Sequence, residues 1–383
     1  MARLRTWHVI PLAVLAVTAG LSAAAAAPAA AAAAAAKTYT ITNLGSLGFV
    51  GYDTTEPSAI DASGQVAGFS ETSTTITFPC PGHYRPPRTC SSHPQHAFLW
   101  SNGTMTDLGS LGGAIEGSSA AAINVSGEVA GLSQTKTAGV THATLWTGMT
   151  MVDLGALAPL SSGSWSGAFG INDSGQVVGA WASSQSTSGT GSHPWLYGNG
   201  TMTSLPVPSG FTSCVPGAIN NNSQIAGYCR DASGTDHGVL WQNGTVAVLG
   251  TLGGLQVTEV SAINNLGQIA GWGTTSTGAI DGFLDSNGTV TDLGAGFRPF
   301  AINDNGVMVD GTGQIDSGGT VQNLNDLIPA NSGYTIDLTF AINDNGQIVA
   351  EAGGSAVLLT PSYNSAHPTS PLPDAGLSAS SGW

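Results

Sequence analysis

One phrase recurs seven times along this chain and constrains its fold more than any other feature. It reads AIDASGQVAG from Ala59, AINVSGEVAG from Ala122, GINDSGQVVG from Gly170, AINNNSQIAG from Ala218, AINNLGQIAG from Ala262, AINDNGVMVD from Ala301 and AINDNGQIVA from Ala341. Its isoleucines, Ile60, Ile123, Ile171, Ile219, Ile263, Ile302 and Ile342, are spaced by 63, 48, 48, 44, 39 and 40 residues. A period of about 40–50 residues is that of one four-stranded propeller blade. Each copy reads as a hairpin. A short apolar strand enters, an Asn/Asp-x-x-Gly turn reverses it, and Gln-Val/Ile-x-Gly leaves.

A second hairpin follows most copies: HAFLW-SNG-TMTDLG from His96, HATLW-TGM-TMVDLG from His142, HPWLY-GNG-TMTSL from His193 and HGVLW-QNG-TVAVLG from His237. A fifth, DGFLD-SNG-TVTDLG from Asp281, keeps the turn and loses the His and Trp. Asn-Gly between β-formers is a strong hairpin signal, and several of these turns also match the N-x-Thr glycosylation pattern. Two hairpins per repeat predict an all-β chain, a β-propeller of seven four-stranded blades, which leaves only short edges. A smaller ring with a separate module is the other arrangement these repeats allow. The chain ends predict how the ring closes. The last copy stops after three strands, while residues 38–48 before the first copy resemble residues 104–112. The N-terminal strand is therefore expected to fill the empty fourth place.

Composition agrees with this reading. The 383 residues include 54 Gly and only 31 charged side chains, too few to solubilise ordinary helices. Residues 1–36 read as a secretory signal peptide: Arg3 and Arg5 precede an apolar run from Val9 to Leu21 and then an Ala-rich stretch. The domain expectation is thus a signal peptide over 1–36, a propeller over 37–363 and a disordered Ser/Pro-rich tail over 364–383. Without the signal the chain carries 6 basic and 23 acidic residues, a formal charge of −17. Such a surface repels nucleic acid and anionic membranes. A secreted, extracellular monomer with no membrane span in the mature chain is expected.

His96-Ala97-Phe98-Leu99-Trp100, Asn102-Gly103, the run Asp107-Leu108-Gly109-Ser110-Leu111-Gly112-Gly113 and the Ala-Ile-Asn-x-x-Gly-Gln-Val-x-Gly hairpin resemble those of the extracellular HAF-repeat proteins of bacteria. The resemblance spans about Lys37 to Tyr363. It implies a secreted repeat protein of propeller-like form, and it brings no established catalytic residues to carry over. His96-Ala97-Phe98 matches the name-giving triplet in full; the other copies depart from it, and the sixth and seventh have drifted furthest.

Four cysteines in an exported chain suggest disulfides, for which three connectivities exist. Cys80 and Cys90 both sit in the insertion that lengthens the first spacing. Cys214 and Cys229 lie symmetrically about Asn221-Asn222, facing each other across a hairpin. The expected pairs are Cys80–Cys90 and Cys214–Cys229. No paired C-x-x-C motifs accompany them, so no metal site is expected, and no cofactor. His96, His142, His193 and His237 recur once per repeat, which spreads them around a ring; each is expected to bond a neighbouring carboxylate or backbone group. Trp100, Trp146, Tyr197 and Trp241 are expected to pack between blades. Asp173, Asp304 and Asp344 lie in NDSG or NDNG turns, the pattern of an Asx-turn and not of a calcium loop.

The sequence holds no G-x-S-x-G, H-E-x-x-H or Walker motif and assigns no catalytic residue. A non-catalytic binding or scaffold module is the reading favoured, its partner a glycan or a cell-envelope protein. The alternative is a polysaccharide hydrolase or lyase with carboxylates drawn from different blades. A purely structural envelope or matrix protein is a third class. Ligand binding is expected on the face of the longer connections, 70–95, 133–141, 182–192 and 230–236. The candidate residues are His83, Tyr84, Arg85 and Arg88 in the first insertion, where two of the basic side chains cluster, with Trp181, Tyr228 and Trp272 just after second strands. Phe69 holds the equivalent place in the first repeat.

Overall fold

A computed structural model describes residues 37–48, 55–80, 89–157, 165–182, 191–252 and 255–363. The expected signal peptide and tail lie outside these residues.

The fold is an all-β propeller. Each repeat contributes a meander in which consecutive strands pair antiparallel, as in Glu56–Ile60, Val66–Glu71, Gln95–Ser101 and Thr104–Asp107. The second and third repeats form one eight-stranded sheet, whose two meanders meet through a single parallel residue pair, Thr141–Trp165. The fifth repeat gains a short extra strand, Thr251–Leu252, at its inner edge.

The final sheet closes as the chain ends predict. Lys37–Asn43 runs antiparallel to Ser355–Tyr363, from Lys37 opposite Tyr363 to Asn43 opposite Val357. The hydroxyls of Thr38 and Ser362 lie 2.9 Å apart across this seam.

The entering strand of every repeat is bulged at one equivalent position. Pairing skips Ser58, Ala121, Phe169, Gly217, Ser261, Phe300 and Phe340, two residues before the repeat isoleucine in each copy. A bulge bends and twists its strand. It also explains the last glycine of the repeat phrase. A Cβ on Gly68, Gly131, Gly179, Gly227 or Gly271 would lie 2.1–2.3 Å from a carbonyl oxygen of the bulged strand.

The hydrophobic cores lie between sheets. Ala67 and Ala97 of the first repeat pack with Ala120, Val129 and Trp146 of the second. Val178 of the third packs with Ile225, Val239 and Trp241 of the fourth. Phe98 and Trp100 of the first pack with Val349, Ala356 and Leu358 of the last. This interlocking accounts for the expected placement of Trp100, Trp146 and Trp241, while Tyr197 is half-buried against the core of the second and third repeats.

Both disulfides join the expected partners, Cys80 with Cys90 and Cys214 with Cys229. The first ties the ends of an added hairpin, Ile76–Pro79 with Thr89–Ser92. Among the described residues no helix is long and apolar enough to cross a membrane.

Candidate functional site

The repeat asparagines build the axis of the molecule. In Asn172, Oδ1 accepts the backbone N–H groups of Ser174 and Gln176, while Nδ2 donates to Gln176 Oε1 at 2.7 Å and to the Asn220 carbonyl at 3.1 Å. The same link runs from Asn124 to Asn172, Asn220 to Asn264, Asn264 to Asn303, Asn303 to Asn343 and Asn343 to Asp61. These amides are all buried, so their bonds matter: an unpaired amide there would cost about 1–3 kcal/mol.

A second relay lies on top of the first. The side chains after the asparagines cap backbone N–H groups of the preceding repeat: Asp173 that of Val125, Asn221 that of Asp173, Asn265 that of Asn221, Asp304 that of Asn265 and Asp344 that of Asp304. The turns are Asx-turns, as expected, with the asparagine as acceptor, while Asp173, Asp304 and Asp344 tie repeat to repeat. The two relays surround a cavity of about 190 Å³ on the face of the tight turns.

The histidines divide by what stands opposite. His96 Nδ1 lies 2.8 Å from Asp107 Oδ1, with Nε2 3.1 Å from the Glu116 carbonyl; His142 Nδ1 lies 2.8 Å from Asp153 Oδ1. Burial pushes the Asp107 carboxyl up, but the bonds from His96 and the Gly109 N–H outweigh it and hold it below its ordinary value. The third repeat has Ser204 in place of that aspartate, and there His193 stacks on Trp181 at a 4.1 Å ring separation, a correction to its expected polar bond. The fourth has Val248, and His237 turns to Asp231 through Nε2 at 2.9 Å.

Polar chemistry collects on the opposite side of the turns, between the fourth and fifth repeats. Tyr228 and Arg230 stand on Ile225–Asp231, Asp236 opens the next strand, and Glu259 sits cross-strand from Trp272 in the following repeat. Arg230 donates from Nε and Nη2 to the two oxygens of Asp236 at 2.8 and 2.7 Å, a bidentate pair that keeps the guanidinium charged. Glu259 and Tyr228 are half-buried. Burial, with Asp236 nearby, raises the Glu259 carboxyl to about 7. Burial and the charges of Glu259 and Asp236 push the Tyr228 phenol up to about 12. Beside them, Asp231 is held low by bonds from Ser233, His237 and Thr235, and Gln256 Nε2 reaches His237 Nδ1 at 3.1 Å.

Two of the candidate residues, Tyr228 and Trp272, therefore neighbour Glu259, Trp272 as its cross-strand partner and Tyr228 within reach of its charge, while Trp181 lies in the third repeat against His193. His83, Tyr84, Arg85 and Arg88 lie outside the described residues. The connection 230–236 is a tight turn closed by Asp231 and not a long loop. Glu259 and Asp236 were missed because they come from different repeats and match no motif. A charged residue on an innermost strand, in so charge-poor a chain, was the available signal.

No protein-family model and no curated protein sequence matches this chain. Solved structures do. A streptogramin B lyase is 13% identical at a TM-score of 0.44, covering 85% of this chain and 98% of its own. The β-propeller domain of the Trilobed protease from Pyrococcus furiosus is 9% identical at 0.44, covering 83% and 95%. The Aleuria aurantia lectin, solved with Fucα1-6GlcNAc, is 13% identical at 0.37, covering 82% and 93%. These likenesses are too distant to assign an activity.

Proposed function

We propose that this chain is a secreted, non-catalytic binding module of the HAF-repeat type, and that its ligand is a glycan. The propeller is read as seven four-stranded blades, with the eight-stranded sheet counted as two. The observation that carries the functional reading is the cluster of Tyr228, Trp272 and Glu259 beside the Arg230–Asp236 pair. Aromatic faces stack on sugar rings, and a carboxyl raised to about 7 both donates and accepts hydrogen bonds near neutrality. The arginine fork adds fixed direction beside them.

Glu259 and Asp236 also favour the second reading, a glycosidase with one carboxyl acting as acid and another as base or nucleophile. Binding accounts for the site better. Both oxygens of Asp236 are engaged by Arg230, which blunts the carboxylate that such a reaction would need. The test is a glycan array with the exported protein, followed by incubation with each ligand found. Retention without release of reducing ends is expected. Turnover abolished by Glu259→Gln would establish the hydrolase instead.

A further inference from the structure

The second relay on the tight-turn face has one gap. Five of its backbone N–H groups receive a side-chain cap from the next repeat. The equivalent N–H groups of Asp344 and Ala62 do not, because the residues that would cap them are Ala62 and Val125. Both groups line the axial cavity, and Val125 is 48% exposed at its rim. The gap is framed from the other side by Asn345, whose Nδ2 donates to the Ala62 carbonyl at 2.7 Å. The result is a local pattern of two backbone donors beside two aliphatic side chains, on a rim that elsewhere carries Asp173, Asn221, Asn265, Asp304 and Asp344.

We propose that this gap is a second carbohydrate subsite that takes the acetamido group of an N-acetylated sugar. It rests on the reading that the ligands are glycans, and it is separate from the Tyr228 cluster on the other face. The chemistry selects this group in three ways. Its carbonyl oxygen supplies the acceptor that the Asp344 and Ala62 N–H groups lack, as the Asn221 and Asn265 side chains do elsewhere in the ring. Its methyl lies against the Ala62 and Val125 side chains. Its neutrality avoids the repulsion that three rim aspartates impose on an anion. A sugar with only hydroxyl groups offers the first feature without the second.

The test uses the exported protein labelled with 15N, titrated with chitotriose, with cellotriose and with acetamide alone. Chitotriose and acetamide are expected to shift the Ala62 and Asp344 amides saturably, and cellotriose is not. Ala62→Asn places an amide where the fourth and fifth repeats carry Asn221 and Asn265. It is expected to weaken chitotriose binding at this face at least tenfold without lowering the melting temperature. Tyr228→Ala is expected to leave these shifts intact. Equal shifts with cellotriose, or unchanged binding by the Ala62→Asn protein, would overturn the subsite. Chitotriose shifts confined to Trp272 and its neighbours would overturn it while leaving the first reading standing. Saturable acetamide shifts at Ala62 without glycan binding elsewhere would support the gap and remove the Tyr228 site.

Discussion

Asn343 and Asp61 are 282 residues apart, yet the Asn343 amide donates to the Asp61 carbonyl at 2.9 Å. This bond carries the axial relay from the last repeat to the first. Asp61 is also where the relay stops. Its Oδ1 accepts the N–H groups of Ser63 and Gln65 as an asparagine would, but a carboxylate has no donor for the Asn124 carbonyl. Asp61→Asn is therefore expected to complete the relay and stabilise the protein by about 1 kcal/mol. Urea denaturation measures it; a lower midpoint for the variant would show that the axial bonds do not hold the ring.

Closure depends on the seam between Lys37–Asn43 and Ser355–Tyr363. Deleting residues 37–43 exposes the edge of Ser355–Tyr363, a template for pairing with other chains. The truncated protein is expected to melt markedly lower and to aggregate on heating. An unchanged melting temperature would mean that the seam is dispensable.

The Cys214–Cys229 disulfide spans 15 residues, for which the chain-entropy model gives about 3 kcal/mol. Replacing both cysteines with alanine is expected to lower stability by an amount of that order. Calorimetry of the double variant against the oxidised parent checks it.

Two carboxyls set opposite pH limits. Glu259 is raised to about 7 from an ordinary 4.5, so its protonated form favours the fold; stability is lost as pH climbs through this window and stays lost above it. Glu259→Gln should remove that loss, gaining up to about 3 kcal/mol over the parent at pH 8 and little at pH 4. Asp107 is held low, so its contribution is present above the ordinary carboxylate range and fades as pH falls below it. Melting curves from pH 3 to about pH 9 for parent, Glu259→Gln and Asp107→Asn separate the two.

Much of this architecture is legible in the repeat phrase, because turn chemistry is local. Asn-x-x-Gly forces the same reversal wherever it occurs, and Ser223 shows the strength of the constraint. It replaces the turn glycine at a φ of +59° and donates to Gln176 Oε1 of the preceding repeat. What the sequence does not reveal is cooperation between repeats. That Asp173 caps Val125, or that Glu259 lies near Tyr228, depends on neighbours about 30–50 residues away whose register is set by packing. The bulge at Ser58 and its equivalents is likewise invisible, since residues as different as Gly217 and Phe340 occupy it. The loss of aspartate opposite His193 and His237 is readable in the sequence, but the substitutes they found are not.

Glycan recognition rests on the ring faces of Tyr228 and Trp272, and calorimetric titration reads their contribution. An oligosaccharide retained on the array is titrated into parent, Tyr228→Ala and Trp272→Ala proteins, with melting temperatures recorded alongside. Each variant is expected to bind about tenfold more weakly, the effect of losing roughly 1.4 kcal/mol of stacking, at a melting temperature near that of the parent. Affinities that stay within about twofold of the parent in both variants would show that these two rings do not bind the glycan.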